Sequence, residues 1–393
     1  MTALDETLLG DGDALSAADP SGVLRSLAGA GAQVREAVEL SAQAGVGRLA
    51  EDGRPRAVVV AALGGASVVT DVLTALAGRG CPVPLVERRG GPLPSWVGPL
   101  DLVVAVSMSG RAPGPLALAA EAARRGARVV TVGAEGSPLA GVGARGGNVH
   151  VPPARGVRAV DAGTRSSRVS LWSLLTPVLL AADALDVVRT PVEVLSAVAD
   201  RLDAEAETCR PWTEAFVNPA KVLAMELAGA VPVVLADGDL TAAAARRAAS
   251  MLARTARVPA VAGALPDDAS EVVATFGGPF AARPDDVFAD PFLDGPAGPR
   301  LQLTLLRDAP AAVPDEERVV ADAVATTAAD AGVRVSEVVA EPGAPLERLA
   351  QLIARTDFAA AYLALASGTD PATSPQVADL RDRLGRASRH AAP

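Results

Sequence analysis

Apolar residues in this chain fall in short runs divided by turn-forming stretches, and the runs alternate between two periods. Arg56-Ala-Val-Val-Val-Ala-Ala-Leu63 is continuous in Val and Ala, the pattern of a strand buried on both faces, and it ends in Gly64-Gly65-Ala66-Ser67. A helix to about Gly78 follows. The plan returns in Asp101-Leu-Val-Val-Ala-Val-Ser107, which leads through Met108-Ser109-Gly110-Arg111 into an Ala/Leu run that stops at Gly126, the usual place for a glycine after a helix. Further strands are expected at 82–87, 127–133 and 148–152, with a weak glycine-rich helix between the last two. Strands that alternate with helices at this spacing predict a doubly wound parallel sheet.

On either side the pattern is helical. Residues 1–21 are acidic and small and read as a loose leader, and helical periodicity runs from Ser21 to about Leu49. A loop at 152–167 carries Arg155, Arg158 and Arg165, a long buried helix covers 167–188, and an amphipathic helix at 191–209 bridges to the second half. That half repeats the plan: helix 218–228, strand 231–236, helix 240–255, strand 258–262, then, after an unassigned segment 267–275, a long surface loop at 277–300, strand 301–306, helix 315–331, strand 333–340 and helix 346–366. The expected fold is α/β with two tandem domains, 22–190 and 218–386, joined by a bridging helix within 191–217 and followed by a disordered tail at 387–393. A cleft between two such halves is the natural place for a site.

Composition narrows the function classes. Half of the 393 residues are apolar and only 3% are aromatic, so the core is aliphatic. A formal net charge of −10 argues against nucleic acid, whose phosphate backbone needs a basic surface. The acidic start, Met1-Thr-Ala-Leu-Asp-Glu6, is not followed by an apolar segment, which predicts no signal peptide and a cytoplasmic protein. The longest apolar run, 169–185, contains Pro177 and Asp183 and falls short of a membrane span. Cys81 and Cys209 are far apart, and His150 and His390 have no second ligand at metal spacing, so neither a disulfide framework nor a metal site is expected, and no cofactor is.

Candidate chemistry concentrates where strands end. Ser107, Ser109 and Gly110 lie between a buried parallel strand and a helix N-terminus, where unpaired N–H groups and the helix dipole favour an anion, and a phosphate is the natural one. Gly64 and Gly65 occupy the corresponding place after the first strand. The plainer readings are serine capping and glycines that merely permit a positive φ. Pro113 and Pro115 remove N–H donors, a loss that Arg111 can offset as a direct phosphate ligand. Asn218 and Lys221 read as a helix cap and a surface charge, and His150 as a solvent-facing or structural residue.

The Gly64-Gly65 turn, the Ser107-Met108-Ser109-Gly110 turn and the order of elements resemble a sugar isomerase (SIS) domain. More narrowly, Asn218-Pro-Ala-Lys221, Glu226-Leu-Ala-Gly229 and Arg355-Thr-Asp-Phe-Ala-Ala-Ala-Tyr-Leu-Ala-Leu-Ala-Ser-Gly-Thr-Asp-Pro371 resemble the bifunctional phosphoglucose/phosphomannose isomerase family. The resemblance implies two SIS domains, a homodimer, a phosphorylated sugar as partner, Arg165 near the site, and reversible aldose–ketose isomerisation of hexose 6-phosphates without a metal. It also exposes departures. The family's general base, a Glu upstream of a Val-Pro-Ala strand, falls on Arg254; its ring-opening His falls on Ala269; a lysine near the final helix falls on Ala344. An arginine cannot abstract a proton at neutral pH. Two readings follow. One is a sugar-phosphate-binding protein whose catalysis is impaired or lost, which these departures favour. The other is an active isomerase whose proton chemistry falls to Glu226 or Glu271, or to Asp267 or Asp268.

Overall fold

The computed structural model describes residues 4–154, 166–281, 298–313 and 315–390. Four helices open the chain: α1 (Glu6–Gly10), α2 (Gly12–Ala18), α3 (Val23–Ala28) and α4 (Ala30–Gln43). The first α/β unit runs β1 (Val58–Ala62), α5 (Val68–Ala77), β2 (Leu85–Arg88), β3 (Leu102–Ser107), α6 (Pro113–Arg124), β4 (Arg128–Gly133), α7 (Pro138–Gly143), β5 (Val149–Val151), α8 (Ser166–Val169) and α9 (Leu171–Ala184). After α10 (Val192–Thr208) comes the second: α11 (Pro219–Leu227), β6 (Ala230–Ala236), α12 (Asp239–Met251), β7 (Val261–Ala264), α13 (Ala269–Thr275), β8 (Arg300–Arg307), α14 (Asp315–Asp330), β9 (Arg334–Val339), α15 (Pro345–Ala366) and α16 (Pro375–His390).

Both sheets are wholly parallel, in the orders β2-β1-β3-β4-β5 and β7-β6-β8-β9. In each, the chain leaves its first strand to one side and then crosses to the other, so a switch point falls between β1 and β3 and another between β6 and β8. Burial on both faces explains the unbroken Val/Ala runs. Val58, Val60 and Ala62 of β1 face a core shared with α4, α9 and α15, while Val59 and Ala61 face a second core under α6. The other face of the second sheet packs under α13 and α14. Helix α15 is long and apolar enough to cross a membrane by composition, but 94% of its most apolar window is buried inside the protein against α10, α11 and α12.

The units meet through the helices that follow their first strands. Helix α5 packs on α12, with Asp71 bound to Arg246 at 3.1 Å and Arg79 bound to Asp239 at 3.3 Å. The pairing 71 with 246 and 79 with 239 makes the two helices antiparallel. Each unit's helix therefore ends beside the other unit's first turn. Helix α10 joins the halves by packing on both α4 and α15.

The structure differs from the sequence reading at several elements. From residue 4 onward the expected leader is largely helical: Leu9 and Leu15 are fully buried in helices α1 and α2. Three of its acidic residues satisfy helix N-termini, with Asp5 accepting the Leu8 N–H at 3.0 Å, Asp11 those of Asp13 and Ala14 at 3.0 Å, and Asp19 those of Val23 and Leu24 at 2.9 and 2.8 Å. The helix expected over 21–49 breaks at Gly29, and the one over 167–188 breaks at Ser170. Strand β7 begins at Val261 rather than Val258, because the Val258 N–H bonds Leu252 O at 3.1 Å and Pro259 has none to give. Helix α16, which the pattern did not suggest, continues through the expected tail to His390, and residues 391–393 lie outside the described residues.

Candidate functional site at the carboxyl edge of the first sheet

Register brings the two predicted turns together. Ala62 pairs with Val106 and Ser107 with Gly133, so the turns after β1 and β3 leave neighbouring strands at the same edge, on the switch point. Gly64 has φ +63° and opens a short 3-10 turn, whose carbonyl accepts the Ser67 N–H at 3.0 Å and its hydroxyl at 2.8 Å. Only glycine takes that φ without strain. At β3 the Gly110 N–H bonds Ser107 O at 2.8 Å, the Ala134 N–H bonds Met108 O at 3.1 Å, and the Leu139 N–H bonds Gly110 O at 3.2 Å. Gly110 has φ +61°, and a methyl group there would collide with Ser137, which caps α7. The turn is rigidly backed.

The serines face the start of α6. The Ser109 hydroxyl accepts the Arg111 N–H at 3.3 Å and the Ser107 hydroxyl accepts the Ala112 N–H at 3.4 Å. Both lie beyond the usual 2.7–3.2 Å range of such bonds, so an anion's oxygens can compete for these donors while the rotating hydroxyls donate to the same anion. Pro113 and Pro115 withhold donors, and the Arg111 side chain is exposed beside the turn. Gly64, Gly65, Ser107, Ser109, Gly110 and Arg111 thus share one edge. Arg165 lies outside the described residues.

One further group arrives from the second unit. A methyl group on Gly65 would collide with Nη1 of Arg254 and lie 2.9 Å from its Cζ, so the guanidinium sits directly on the glycine turn. A π-helical turn, Leu252–Ala256, carries Arg254 out of the end of α12. Arg257, in the left-handed region at φ +63°, locks that turn by donating Nη1 to the carbonyls of Arg254 at 2.7 Å and Thr255 at 2.9 Å, and Nη2 to Asp370 O at 3.0 Å and to Thr373 O. Behind it, buried Asp357 accepts Nε and Nη2 of Arg247 at 3.0 and 2.8 Å. Burial pushes the Asp357 carboxyl up, against the pull of Arg247 and Arg254. Arg247 also donates to Arg168 O at 2.5 Å.

The carboxylates expected to stand in as bases lie elsewhere. Glu226 accepts the Ser336 hydroxyl at 2.6 Å, and that hydroxyl accepts from Gln302 at 2.7 Å, between α11 and the second sheet. Glu271 and Asp267 are exposed, and Asp268 accepts the Ala264 N–H at 2.6 Å, holding the turn before α13. Ala269 opens α13 and Ala344 caps α15. His150 has Nδ1 2.9 Å from the Thr131 hydroxyl, and burial lowers its pKa, so the structural reading fits it. Asn218 is the cap of α11. Lys221 is a correction: it is fully buried, donating to Leu9 O at 2.7 Å, Pro211 O at 2.6 Å and Thr213 O at 2.9 Å, because three carbonyls converge to solvate its ammonium.

The equivalent edge of the second unit has the opposite polarity, and the sequence reading passed over it. Asp237-Gly238-Asp239 follows β6 and Asp308 follows β8, around a cavity of about 350 Å³ that Arg79 enters from the first unit. Asp237 is buried and accepts the Asp308 N–H at 2.9 Å and the Thr241 hydroxyl at 2.8 Å, and burial pushes its carboxyl up. Carboxylates here stand where the first unit has hydroxyls, an arrangement that repels phosphate. An Asp-Gly-Asp after a Val/Leu strand was the available signal. A wider open groove of about 940 Å³ lies between the α2–α3 segment and α10, lined by mixed charges such as Asp19, Arg25, Glu207 and Arg210. Among the described residues no three His, Cys, Asp or Glu side chains come together as a metal site.

Residues 216–384 match the family model of the bacterial phospho-glucose isomerase C-terminal SIS domain. No match is found among curated proteins. The fold is shared with a hypothetical protein from Thermus thermophilus, at a TM-score of 0.67 and 18% identity over 99% of each chain. It is similar to tagatose-6-phosphate ketose/aldose isomerase from Escherichia coli (TM-score 0.60, 12% identity, 95% of this chain and 97% of that one). It is also similar to the C-terminal domain of glucosamine-fructose-6-phosphate aminotransferase from Francisella tularensis (TM-score 0.57, 14% identity, 90% and 98%). At these identities the likeness is one of fold. Residues 216–384 therefore resemble the bacterial phospho-glucose isomerase C-terminal SIS domain, and the chain as a whole has the two-unit α/β fold of these structures.

Proposed function

We propose that the chain binds a hexose 6-phosphate at the edge where β1 and β3 end, and that its aldose–ketose isomerisation is impaired or lost. The phosphate oxygens would accept from the Ser107 and Ser109 hydroxyls and from the N–H groups of Arg111 and Ala112, with the Arg111 guanidinium as a second, charge-assisted donor. The observation that carries the loss of catalysis is Arg254 on Gly65. Moving a proton between C1 and C2 needs a base within hydrogen-bond reach that is unprotonated at neutral pH, and a guanidinium is neither acceptor nor base. Glu226 is engaged with Ser336 and Glu271 points to solvent, which leaves the alternative of an active isomerase without a well-placed carboxylate.

The same reading takes the working unit as a homodimer, supported by exposed Trp212, Phe216 and Val217 on the segment between α10 and α11. It places the protein in the cytoplasm, which the two unbridged cysteines suit. The test combines binding and turnover. Fructose 6-phosphate is expected to raise the melting temperature of the wild type, the double substitution Ser109→Ala with Arg111→Ala is expected to abolish that rise, and a coupled assay with glucose 6-phosphate and mannose 6-phosphate is expected to show no turnover. An unchanged rise in the double variant sinks the phosphate site. Turnover that disappears on Ser109→Ala alone restores the isomerase.

A further inference from the structure

We propose that helix α16 is an exchanged arm, which docks its apolar face on a second copy of this chain in the groove between the α2–α3 segment and α10. The inference rests on the homodimer reading above and names the surfaces that meet. Val377, Leu380 and Leu384 follow one another at spacings of three and four, so they share one face of α16, and they are 38%, 54% and 59% exposed. Every side chain described between Pro375 and Leu384 is exposed. A helix of 16 residues is marginal in water unless packing covers its amphipathic face. The Asp379–Arg383 ion pair at 2.8 Å is a surface contact of the kind that adds little. The helix therefore finds its cover outside its own subunit.

The root of the arm sets its direction. Arg168 donates to Pro371 O at 3.1 Å, to Ala372 O and to the Ser374 hydroxyl at 2.7 Å, and Arg257 donates to Asp370 O at 3.0 Å and to Thr373 O. Ala372 and Ser374 are buried. A helix that leaves so firmly held a base turns back on its own subunit only if those bonds break, and at its ordinary rise it reaches about 24 Å beyond them. Charge then favours a second copy as the occupant. Helix α16 carries Arg381, Arg383, Arg386 and Arg389 against Asp379 and Asp382, in a chain whose formal net charge is −10, so the rest of the molecule is acidic. The groove, of about 940 Å³, has Trp212 in its wall and Asp19, Asp203 and Glu207 against Arg25 and Arg210 around it. Asp200 and Glu193 continue the acidic stripe along the exposed side of α10, where Arg35 engages Asp200 and Asp203 at 2.7 Å. A basic amphipathic helix and an acidic groove with an apolar wall are complementary, and two copies related by a two-fold axis exchange such arms reciprocally. Through Trp212 the same contact extends toward exposed Phe216 and Val217.

Sedimentation equilibrium on the full chain tests this. The wild type is expected to be a dimer at micromolar concentration. Val377→Glu combined with Leu380→Glu, which keeps helix propensity and spoils only the face, is expected to raise the dissociation constant about tenfold or more. A photo-crosslinking residue in place of Leu380 supplies a second readout in a mixture of isotope-labelled and unlabelled chains. It is expected to join labelled to unlabelled chains at residues of the groove, within 16–28 or 203–212. Crosslinks confined to single chains of a dimeric wild type overturn the inference, because the arm then folds back on its own subunit. A dimer that the double Glu variant leaves equally tight overturns it too, and in both cases the homodimer reading stands. A wild type that is monomeric at every concentration removes both readings, and if it then sediments with vesicles of anionic phospholipid, the face of α16 belongs to a membrane.

Discussion

At the residue scale, the chemistry of this protein turns on where its arginines are held. Arg247 and Asp357 form a buried pair, with the Arg247 side chain 1% and the Asp357 side chain 6% exposed. Removing one partner strands the other charge in a medium that solvates it poorly. Arg247→Met is therefore expected to cost about 3–5 kcal/mol of unfolding free energy, read by urea denaturation, while the double substitution with Asp357→Leu recovers most of it. A loss under about 1 kcal/mol in the single variant would mean that water reaches the pair. Residues of this kind were poorly legible in the sequence. Asn218 was readable as a cap because Asn before Pro and a helical run has a local meaning, but the burial of Lys221 depends on carbonyls of Leu9, Pro211 and Thr213, two of them in segments with no periodic pattern. The contact of Arg254 with Gly65 was equally hidden, since the two residues meet only after separate units have packed.

At the scale of elements, the strands were the most readable part of the chain. A strand buried on both faces must be apolar throughout, so β1, β3, β4, β6 and β8 announce themselves within a residue or two. Helix ends and short helices were harder. The N-terminal segment is rich in Asp, and charge density alone suggests solvation; yet Asp5, Asp11 and Asp19 each accept N–H groups at the start of a helix. Asp19 is the strongest case, accepting two N–H groups while only 8% exposed. Asp19→Ala is expected to destabilise the fold by about 0.5–2 kcal/mol, with Asp19→Asn losing less because its amide oxygen can still accept. Equal losses in the two variants would assign the effect to charge rather than to capping. Strand β7 shows a different limit. Its start depends on how many residues the π turn and left-handed Arg257 consume, which apolar patterning does not encode.

At the scale of the whole molecule, two units of one topology have been driven to opposite polarity at equivalent edges, hydroxyls and glycines in the first and carboxylates in the second. The chain's tandem plan was legible because the strand and helix spacing repeats, whereas the antiparallel α5–α12 contact that crosses the edges was not. One surface remains to be assigned. Trp212, Phe216 and Val217 are 62%, 75% and 58% exposed within one short segment, although the Trp212 indole donates to Asp13 at 3.1 Å. Three large apolar groups that close together are costly to leave in water, and such patches mark contact surfaces. Light scattering on the purified chain is expected to give twice the mass of one chain at micromolar concentration. Phe216→Asp is expected to shift it toward the monomer without lowering the intrinsic melting temperature by more than a few degrees, because the substituted side chain makes few contacts of its own within the subunit. A wild type that runs as a monomer at every concentration would remove the homodimer from the functional reading. A dimer that Phe216→Asp leaves intact would keep the dimer and move its interface to another face.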